Sequence, residues 1–435
     1  MPTLPLTEKI KNKKAKIGII GLGYVGLPLA VAFADKGFFV LGIDTDRAKV
    51  ARLNRGESYI MDVPSKAVRR LVSARRLKAT ADTKGVSSLD AMILCVPTPL
   101  NKTKKPDISF IVAAVKAIAP RLKKGQLIVL ESTTYPGTTD EVVRPLLEEG
   151  GLKVEKDFTL AFSPERIDPG NKQFDTVSIP KVVGGAGPRS LEAAGALYGA
   201  IIQKIVEVSS AKTAEMVKLL ENTFRSVNIG LINEITILSH RLGIDIWEVI
   251  EAAKTKPFGF MPFYPGPGLG GHCLPIDPLY LSWKSRLHGY EAKMIELASS
   301  INEAMPEYVV ERVADLLNRR GIPLKGASIL VVGVAYKRNV DDLRESPALE
   351  VIEEFLLRGS KVAYSDPHIP SLTAGHRSLR SVKLKPAMLK KQHCVVILTD
   401  HDSFDCPLIV RHSRAILDTR NALRKFNANR HVFFL

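Results

Sequence analysis

A glycine pattern near the amino terminus constrains this chain more than any other feature. Ile17-Gly-Ile-Ile-Gly-Leu-Gly-Tyr-Val-Gly26 sets Gly21, Gly23 and Gly26 in G-x-G-x-x-G spacing, after the apolar run Lys16–Ile20 and ahead of a helical stretch. The first glycine of such a pattern makes a tight turn. The second lets the backbone approach a pyrophosphate, and the third lets strand and helix pack closely. A second apolar run, Phe38-Phe-Val-Leu-Gly-Ile-Asp44, ends in an acid at the distance that suits a ribose 2′-hydroxyl. A carboxylate there repels a 2′-phosphate, so the pattern favours NAD over NADP.

The same stretch imitates a secretory signal. Lys11-Asn-Lys-Lys14 precedes an uncharged segment from Gly18 to Ala34 that closes on Ala32-Phe-Ala34. Its four glycines and one proline, and the strand and acid that follow, are explained by a Rossmann unit; a signal explains only the hydrophobicity. No other stretch is long enough to span a bilayer.

At 435 residues the chain exceeds one ordinary core, so two or three domains are expected. The net charge of +17 comes without a zinc-finger, RRM or basic-zipper pattern. It is therefore read as suiting an acidic small molecule, such as a nucleotide diphosphate, rather than nucleic acid. Cys95, Cys273, Cys394 and Cys406 form no CxxC pair and no disulfide framework. Cys95 and Cys394 lie inside apolar runs and read as small core residues, which fits a reducing cytoplasm. No metal site is expected.

From residue 16 to about 208, strand-like runs alternate with helical segments, as in a doubly wound parallel sheet. The expected strands are Lys16–Ile20, Phe39–Ile43, Ala91–Val96, Leu127–Leu130, Thr159–Phe162, Lys181–Val183 and Ile205–Glu207. A long helix follows over Ala211–Arg241, with Ser209 or Ser210 as cap and Gly243 as stop. Further helices are expected at Ile246–Lys254 and Ala292–Arg320. Alternation then returns in Ala327–Gly333, Pro347–Arg358 and Lys361–Asp366. The fold class is α/β: two Rossmann-like, doubly wound domains (1–208 and 321–435) joined by a long central helix and a helical linker domain (209–320).

Four segments carry candidate chemistry. Pro265-Gly-Pro-Gly-Leu-Gly-Gly-His-Cys-Leu-Pro-Ile-Asp277 delivers a thiol, Cys273, and a carboxylate, Asp277, four positions apart. Gly270 and Gly271 permit close approach by a substrate, and a helix starting near Pro275 or Pro278 would favour the thiolate. A buried structural thiol is the competing reading, and His272 could be a charge partner or a structural hydrogen bonder. On the long helix Lys218, Asn222 and Arg225 share a stripe, while Val217, Leu219, Leu220, Phe224 and Val227 lie elsewhere. Periodicity leaves open whether that stripe is solvated. Ala161-Phe-Ser-Pro-Glu-Arg-Ile-Asp-Pro-Gly170 carries Glu165, Arg166 and Asp168, and Glu131-Ser-Thr-Thr-Tyr-Pro-Gly137 offers hydroxyls. Both follow strands, at the sheet edge where open α/β folds bind ligands.

Gly21-Leu-Gly-Tyr-Val-Gly-Leu-Pro28, Ser163-Pro-Glu-Arg166, Lys218-Leu-Leu-Glu-Asn-Thr-Phe-Arg225 and Gly270-Gly-His-Cys-Leu-Pro-Ile-Asp277 resemble, in order and spacing, the UDP-sugar 6-dehydrogenases. The resemblance implies an NAD-binding domain, a helical linker used for dimerisation and a C-terminal domain that binds the UDP moiety. It implies Cys273 as nucleophile, Lys218 and Asn222 as oxyanion stabilisers and Asp277 as an aid to water activation. Glu165 and Thr134 would act around the sugar C6 and an ordered water. Cofactor contacts are implied for Gly21, Gly23, Tyr24, Val25, Gly26, Asp44, Thr98, Ser132 and Thr133. Substrate contacts are implied for Arg166, Arg225, Tyr264, Gly270, His272, Lys337 and Arg420. Glucose-specific members usually carry a lysine directly before the aspartate, where this chain has Ile276. The Gly-Gly-His-Cys form and Lys256-Pro-Phe-Gly-Phe-Met-Pro-Phe-Tyr-Pro-Gly266 are most similar to the UDP-N-acetylglucosamine members.

The expected activity is thus a four-electron oxidation of a UDP-N-acetylhexosamine by a cytoplasmic homodimer or higher oligomer, without nucleic-acid or membrane partners. Two rivals share the fingerprint. A two-electron hydroxyacid dehydrogenase has no need of Cys273, and an NAD-responsive binding protein would tolerate loss of Lys218 as well.

Overall fold

The computed structural model describes residues 4–101, 103–167, 177–426 and 431–435, so Asp168 lies outside the described residues. The chain forms two compact units, Met1–Glu221 with Leu279–Tyr290, and Asn222–Pro278 with Glu291–Leu435.

The first unit is built on eight strands: β1 (Lys16–Ile20), β2 (Phe39–Ile43), β3 (Leu77–Thr80), β4 (Ala91–Leu94), β5 (Leu127–Leu130), β6 (Thr159–Phe162), β7 (Lys181–Gly185) and β8 (Ile205–Val208). They are ordered β3-β2-β1-β4-β5-β6-β7-β8. Strands β4, β5 and β6 are buried along their whole length, which is why they read as unbroken apolar runs rather than alternating ones. Two features differ from the expected parallel sheet. Strand β3, with its mixed Leu-Lys-Ala-Thr sequence, adds an edge beside β2, and β7 runs antiparallel to β6. The segment that imitated a signal is β1, the glycine turn and the helix Gly26–Asp35. Strand order reverses between β1 and β4, so the ends of those two strands flank the crevice that this topology offers a ligand.

The long helix spans Ala211–Leu242. Ser210 Oγ accepts the Thr213 N–H at 3.1 Å and caps it, and Gly243, at φ +71°, ends it in the left-handed region.

In the second unit five parallel strands, β9 (Ser328–Val332), β10 (Lys361–Ser365), β13 (Cys394–Ile397), β14 (Ile416–Asp418) and β15 (Val432–Phe434), are ordered β10-β9-β13-β14-β15. A hairpin, β11 (Ser371–Ala374) and β12 (Arg377–Arg380), lies between β10 and β13 in sequence. This sheet repeats a device of the first. Gly333 turns at φ +78° after β9, and Asp366 after β10 accepts the Val334 N–H at 2.7 Å. In the first unit Gly21 turns at φ +91° and Asp44 accepts the Leu22 N–H at 2.8 Å. The helix Lys293–Asn318 carries Pro306 in its interior, and Asn302 and Asn233 form a buried side-chain bond at 2.9 Å.

Candidate active site

The three fingerprint glycines do three separate jobs. A Cβ on Gly21 would stand 2.4 Å from the Cys95 carbonyl oxygen, and one on Gly26 would stand 1.9 Å from the Gly21 carbonyl oxygen. Gly21 therefore serves the turn and Gly26 the strand–helix approach. A Cβ on Gly23 would meet no heavy atom within 4 Å. That open space, ahead of the helix that begins at Gly26, is where a pyrophosphate fits this turn. Tyr24, the neighbouring fingerprint residue, is exposed, and Val25 sits at the helix N-cap. Asp44 accepts from Leu22 N and, at 2.9 Å, from Asp46 N, so its carboxylate braces the glycine turn.

Thr98 is buried after β4, and its carbonyl oxygen accepts from the Tyr280 hydroxyl. After β5, Ser132 Oγ donates to the Val96 carbonyl at 2.8 Å, and Thr133 follows it half-buried. Thr134, buried, shares a hydrogen bond with Thr138 at 2.8 Å. Sequence reasoning missed what pins this loop. Glu215, on the long helix and fully buried, accepts from Gly137 N at 2.5 Å, Thr139 N at 2.9 Å and Thr139 Oγ1 at 2.7 Å. Burial nevertheless pushes its carboxyl up to about 7.

Glu165 follows β6. Its Oε1 accepts the backbone N–H of Arg166 and of Ile167, each at 2.7 Å, and its Oε2 faces the Lys181 ammonium at 3.2 Å. Burial alone would raise this carboxyl, but the Lys181 charge and the Ile167 N–H outweigh it and hold Glu165 below the usual carboxylate range. Arg166 turns away to pair with Glu221 at 2.6 Å. Lys218, on the long helix, is buried.

In the second unit, Asn222 Nδ2 donates to Asp277 Oδ2 at 2.5 Å, and both side chains are buried. The polar stripe of the long helix is therefore the buried one for Lys218 and Asn222, whereas Arg225, placed on the same stripe by spacing, is exposed. Cys273 is exposed, and its carbonyl oxygen accepts the Asp277 N–H at 2.8 Å, one turn before the helix Asp277–Leu287. Burial, with Arg344 beside it, pushes His272 below its ordinary value and favours neutral imidazole, so His272 is no cationic partner for the thiol.

Glycine is required at 270 and 271 by a neighbour within the unit. A Cβ at Gly270 would stand 2.8 Å from Tyr336 Cβ, and one at Gly271, where φ is +82°, would stand 2.7 Å from the Tyr336 ring. Tyr336 directly precedes Lys337, which is half-buried. Arg420 donates from Nε to the Leu398 carbonyl at 2.7 Å, and its Nη1 lies 2.8 Å from where a Gly266 Cβ would be. Tyr264 stacks on Trp247 and donates to Glu251 at 3.1 Å. Of the other thiols, burial raises Cys95 well above its ordinary value and Cys394 to about 12, which leaves neither as a ready nucleophile.

Family models match three successive segments of the chain. They are the NAD binding domain of the UDP-glucose/GDP-mannose dehydrogenase family over residues 15–202, its central domain over 212–304 and its UDP binding domain over 330–425. The chain is 38% identical to a UDP-N-acetyl-D-glucosamine 6-dehydrogenase of Pseudomonas aeruginosa, over 84% of this chain and 85% of that protein. It is 36% identical to an NDP-N-acetyl-D-galactosaminuronic acid dehydrogenase of Ralstonia solanacearum, over 93% and 95%. Among solved structures, a UDP-D-ManNAc dehydrogenase of Pyrococcus horikoshii superposes with a TM-score of 0.87 at 33% identity, covering 96% of this chain and 98% of that one.

Proposed function

The chain belongs to the UDP-glucose/GDP-mannose dehydrogenase family and is an NAD-dependent UDP-sugar dehydrogenase, and on that premise we propose that it oxidises the C6 hydroxyl of UDP-N-acetylglucosamine to the carboxylate. One observation carries the four-electron outcome: the exposed Cys273 lies one turn ahead of the buried Asn222–Asp277 pair. An exposed thiol beside a carboxylate held by an amide suits capture of an aldehyde followed by hydrolysis of what it becomes.

Bound NAD supplies the electron acceptor at each of the two oxidations. A base, acting through an ordered water near Thr134 and Glu165, takes the C6 hydroxyl proton. The Cys273 thiolate adds to the aldehyde carbon, giving a thiohemiacetal, and the second oxidation leaves a thioester. Water then attacks that carbonyl near Asp277 and Glu165, and sulfur departs as thiolate. Lys218 and Asn222 donate to the oxygen that carries charge at each tetrahedral stage, a role worth about 3–4 kcal/mol per donor. Lys337 and Arg420, with Arg166, Arg225, Tyr264, Gly270 and His272, are assigned to the UDP-sugar, and Tyr24, Val25, Thr98, Ser132 and Thr133 to the cofactor. Residues 1–208, 209–320 and 321–435 are assigned as cofactor, linker and UDP domains.

The acetamido sugar is favoured by the Gly-Gly-His-Cys form of the loop and by the Pseudomonas relative. The Ralstonia and Pyrococcus relatives keep the galacto and manno epimers as the second reading. A homodimer is supported by the long helix, which exposes Met216, Leu220, Phe224, Leu231 and Leu238 at helical spacing. Among the described residues no helix is long and apolar enough to cross a membrane; a reducing cytoplasm, which keeps Cys273 a thiol, is the proposed location.

The test is NADH formed per molecule of limiting UDP-N-acetylglucosamine, run to completion beside UDP-N-acetylmannosamine, UDP-N-acetylgalactosamine and UDP-glucose. Two NADH per sugar supports the scheme and names the substrate. One NADH would refute the role given to Cys273.

A further inference from the structure

Behind Glu165 lies a buried charged cluster to which the reaction scheme gives no part. Lys181, the first residue of β7, has a side chain only 6% exposed, and Glu131, at the end of β5, has one fully buried. The Lys181 ammonium bonds Glu131 Oε1 and, at 3.2 Å, Glu165 Oε2. The Tyr198 hydroxyl donates to Glu131 Oε2 at 2.6 Å, and its ring lies under the ammonium, 5.2 Å from Nζ to centroid. Among the described residues, the Cys95 thiol is a further ionisable group that acts on this cluster. All five side chains belong to one compact unit. Taking three charged groups out of water costs several kcal/mol per ion, and an apolar packing of similar volume is often as stable. Stability is therefore a poor reason for this cluster.

We propose that Lys181 and Glu131 are positioning residues that fix the direction and the charge state of the Glu165 carboxylate, and that Glu131 receives the proton Glu165 collects. The proposal rests on Glu165 acting as the base in thioester hydrolysis. In that step the water oxygen bonds to the carbonyl carbon, its proton goes to Glu165, and the carbon–sulfur bond breaks with its electron pair on Cys273. Nothing is oxidised or reduced. The proton then moves to Glu131, leaving Lys181 and an ionised Glu165 as a neutral pair. The direction of transfer agrees with the surroundings: burial pushes Glu131 above the ordinary carboxylate range, while Lys181 and the backbone hold Glu165 below it. Backbone N–H groups fix one oxygen of Glu165 and Lys181 meets the other, so the carboxylate cannot rotate without losing a partner.

The test compares Lys181→Met, Lys181→Arg, Glu131→Gln and Glu165→Gln in the full-length enzyme with NAD. The probe is whichever of the four UDP-sugars turns over fastest. Rapid mixing counts NADH per active site in the first turnover, and steady-state kcat and KM are followed from roughly pH 6 to 9. Lys181→Met and Glu131→Gln are expected to keep the first-turnover NADH and the KM while kcat falls by about tenfold or more, part of what a general base contributes. Removing the cation raises the Glu165 carboxyl, so the acid limb of kcat moves to higher pH in Lys181→Met, and Lys181→Arg restores it. Unchanged kcat and pH profile in Lys181→Met and Glu131→Gln, with Glu165→Gln impaired, would overturn this proposal and leave Glu165 in place. Normal turnover by Glu165→Gln would instead remove the reading on which it rests. Should Lys181→Met fail to fold, the isosteric Glu131→Gln decides the matter alone.

Discussion

Two alanine substitutions three residues apart should fail in opposite ways. In Gly26→Ala the new Cβ would stand 1.9 Å from the Gly21 carbonyl oxygen, 3.0 Å from the Gly21 carbonyl carbon and 3.1 Å from Ile19 Cγ2. An ordinary carbon–oxygen contact is roughly 3.3 Å or more, so the backbone must move by about an ångström. The obstacle is backbone of the turn itself, with no flexible side chain to yield. Overpacking typically costs about 1–3 kcal/mol, and this case belongs at or above the top of that range. Alanine's helix propensity returns only about 1 kcal/mol. In Gly23→Ala the Cβ meets nothing within 4 Å, and the backbone lies outside the left-handed region. That variant should be as stable as wild type or more stable by about 0.4–1 kcal/mol. Its methyl, however, occupies the approach that a pyrophosphate needs. Thermal melting with and without NAD separates the two effects. At a concentration about 100 times its dissociation constant, NAD adds about 2.7 kcal/mol to wild type, roughly 5–10 °C for a domain of this size. Gly23→Ala should melt like wild type alone and gain almost nothing from NAD; Gly26→Ala should melt well below both. A full NAD shift in Gly23→Ala, or wild-type melting of Gly26→Ala, would refute the assignment of the glycines.

Cys273→Ser should stall, because a neutral hydroxyl adds poorly and an ester resists hydrolysis more than a thioester; intact-mass measurement should find a trapped adduct or at most one NADH per site, and steady turnover would sink the thioester route. Glu215 makes stability fall with pH: its native carboxyl, near 7, holds a proton that the unfolded chain, with a model value of 4.5, has released. The contribution is fully present below the unfolded value and is lost as pH rises through the folded one, an upper bound of about 3.5 kcal/mol at ~1.4 kcal/mol per unit. Glu215→Gln should flatten the melting temperature between those pH values, and an unaltered slope would place the titration elsewhere. Leu220→Glu with Phe224→Glu, on the exposed apolar stripe, should lower the mass seen by sedimentation in proportion to any dimer built there; an unchanged oligomer would rule that stripe out as the interface.

Local pattern revealed the elements whose burial is uniform. Met92-Ile-Leu94 and Leu127–Leu130 could only be interior strands, and the glycine turn announced itself by its spacing, with Gly26 answering to the Gly21 carbonyl five residues before it even though Gly21 itself answers to the distant Cys95. Strand β3 escaped because Leu77-Lys-Ala-Thr80 is short, half polar and at an edge, where only alternate residues need be apolar. The antiparallel β7 escaped because strand direction is set by the connection, not by the strand's composition. The polar side chains show the deeper limit. A lysine at the head of a strand reads as a solvated edge, yet Lys181 is buried because carboxylates from two other strand ends meet it. Lys218 and Asn222 could not be assigned a side of their helix for the same reason: what makes Asn222 tolerable inside is Asp277, 55 residues later. Meanwhile Leu220 and Phe224, which periodicity would send to the core, face outward. Periodicity measures the affinity of a face for water, whereas a buried charge is decided by its partner. The residues to which we assign chemistry are therefore the ones a one-dimensional reading places last, unless, like Cys273, they stand in a loop whose glycines mark it out.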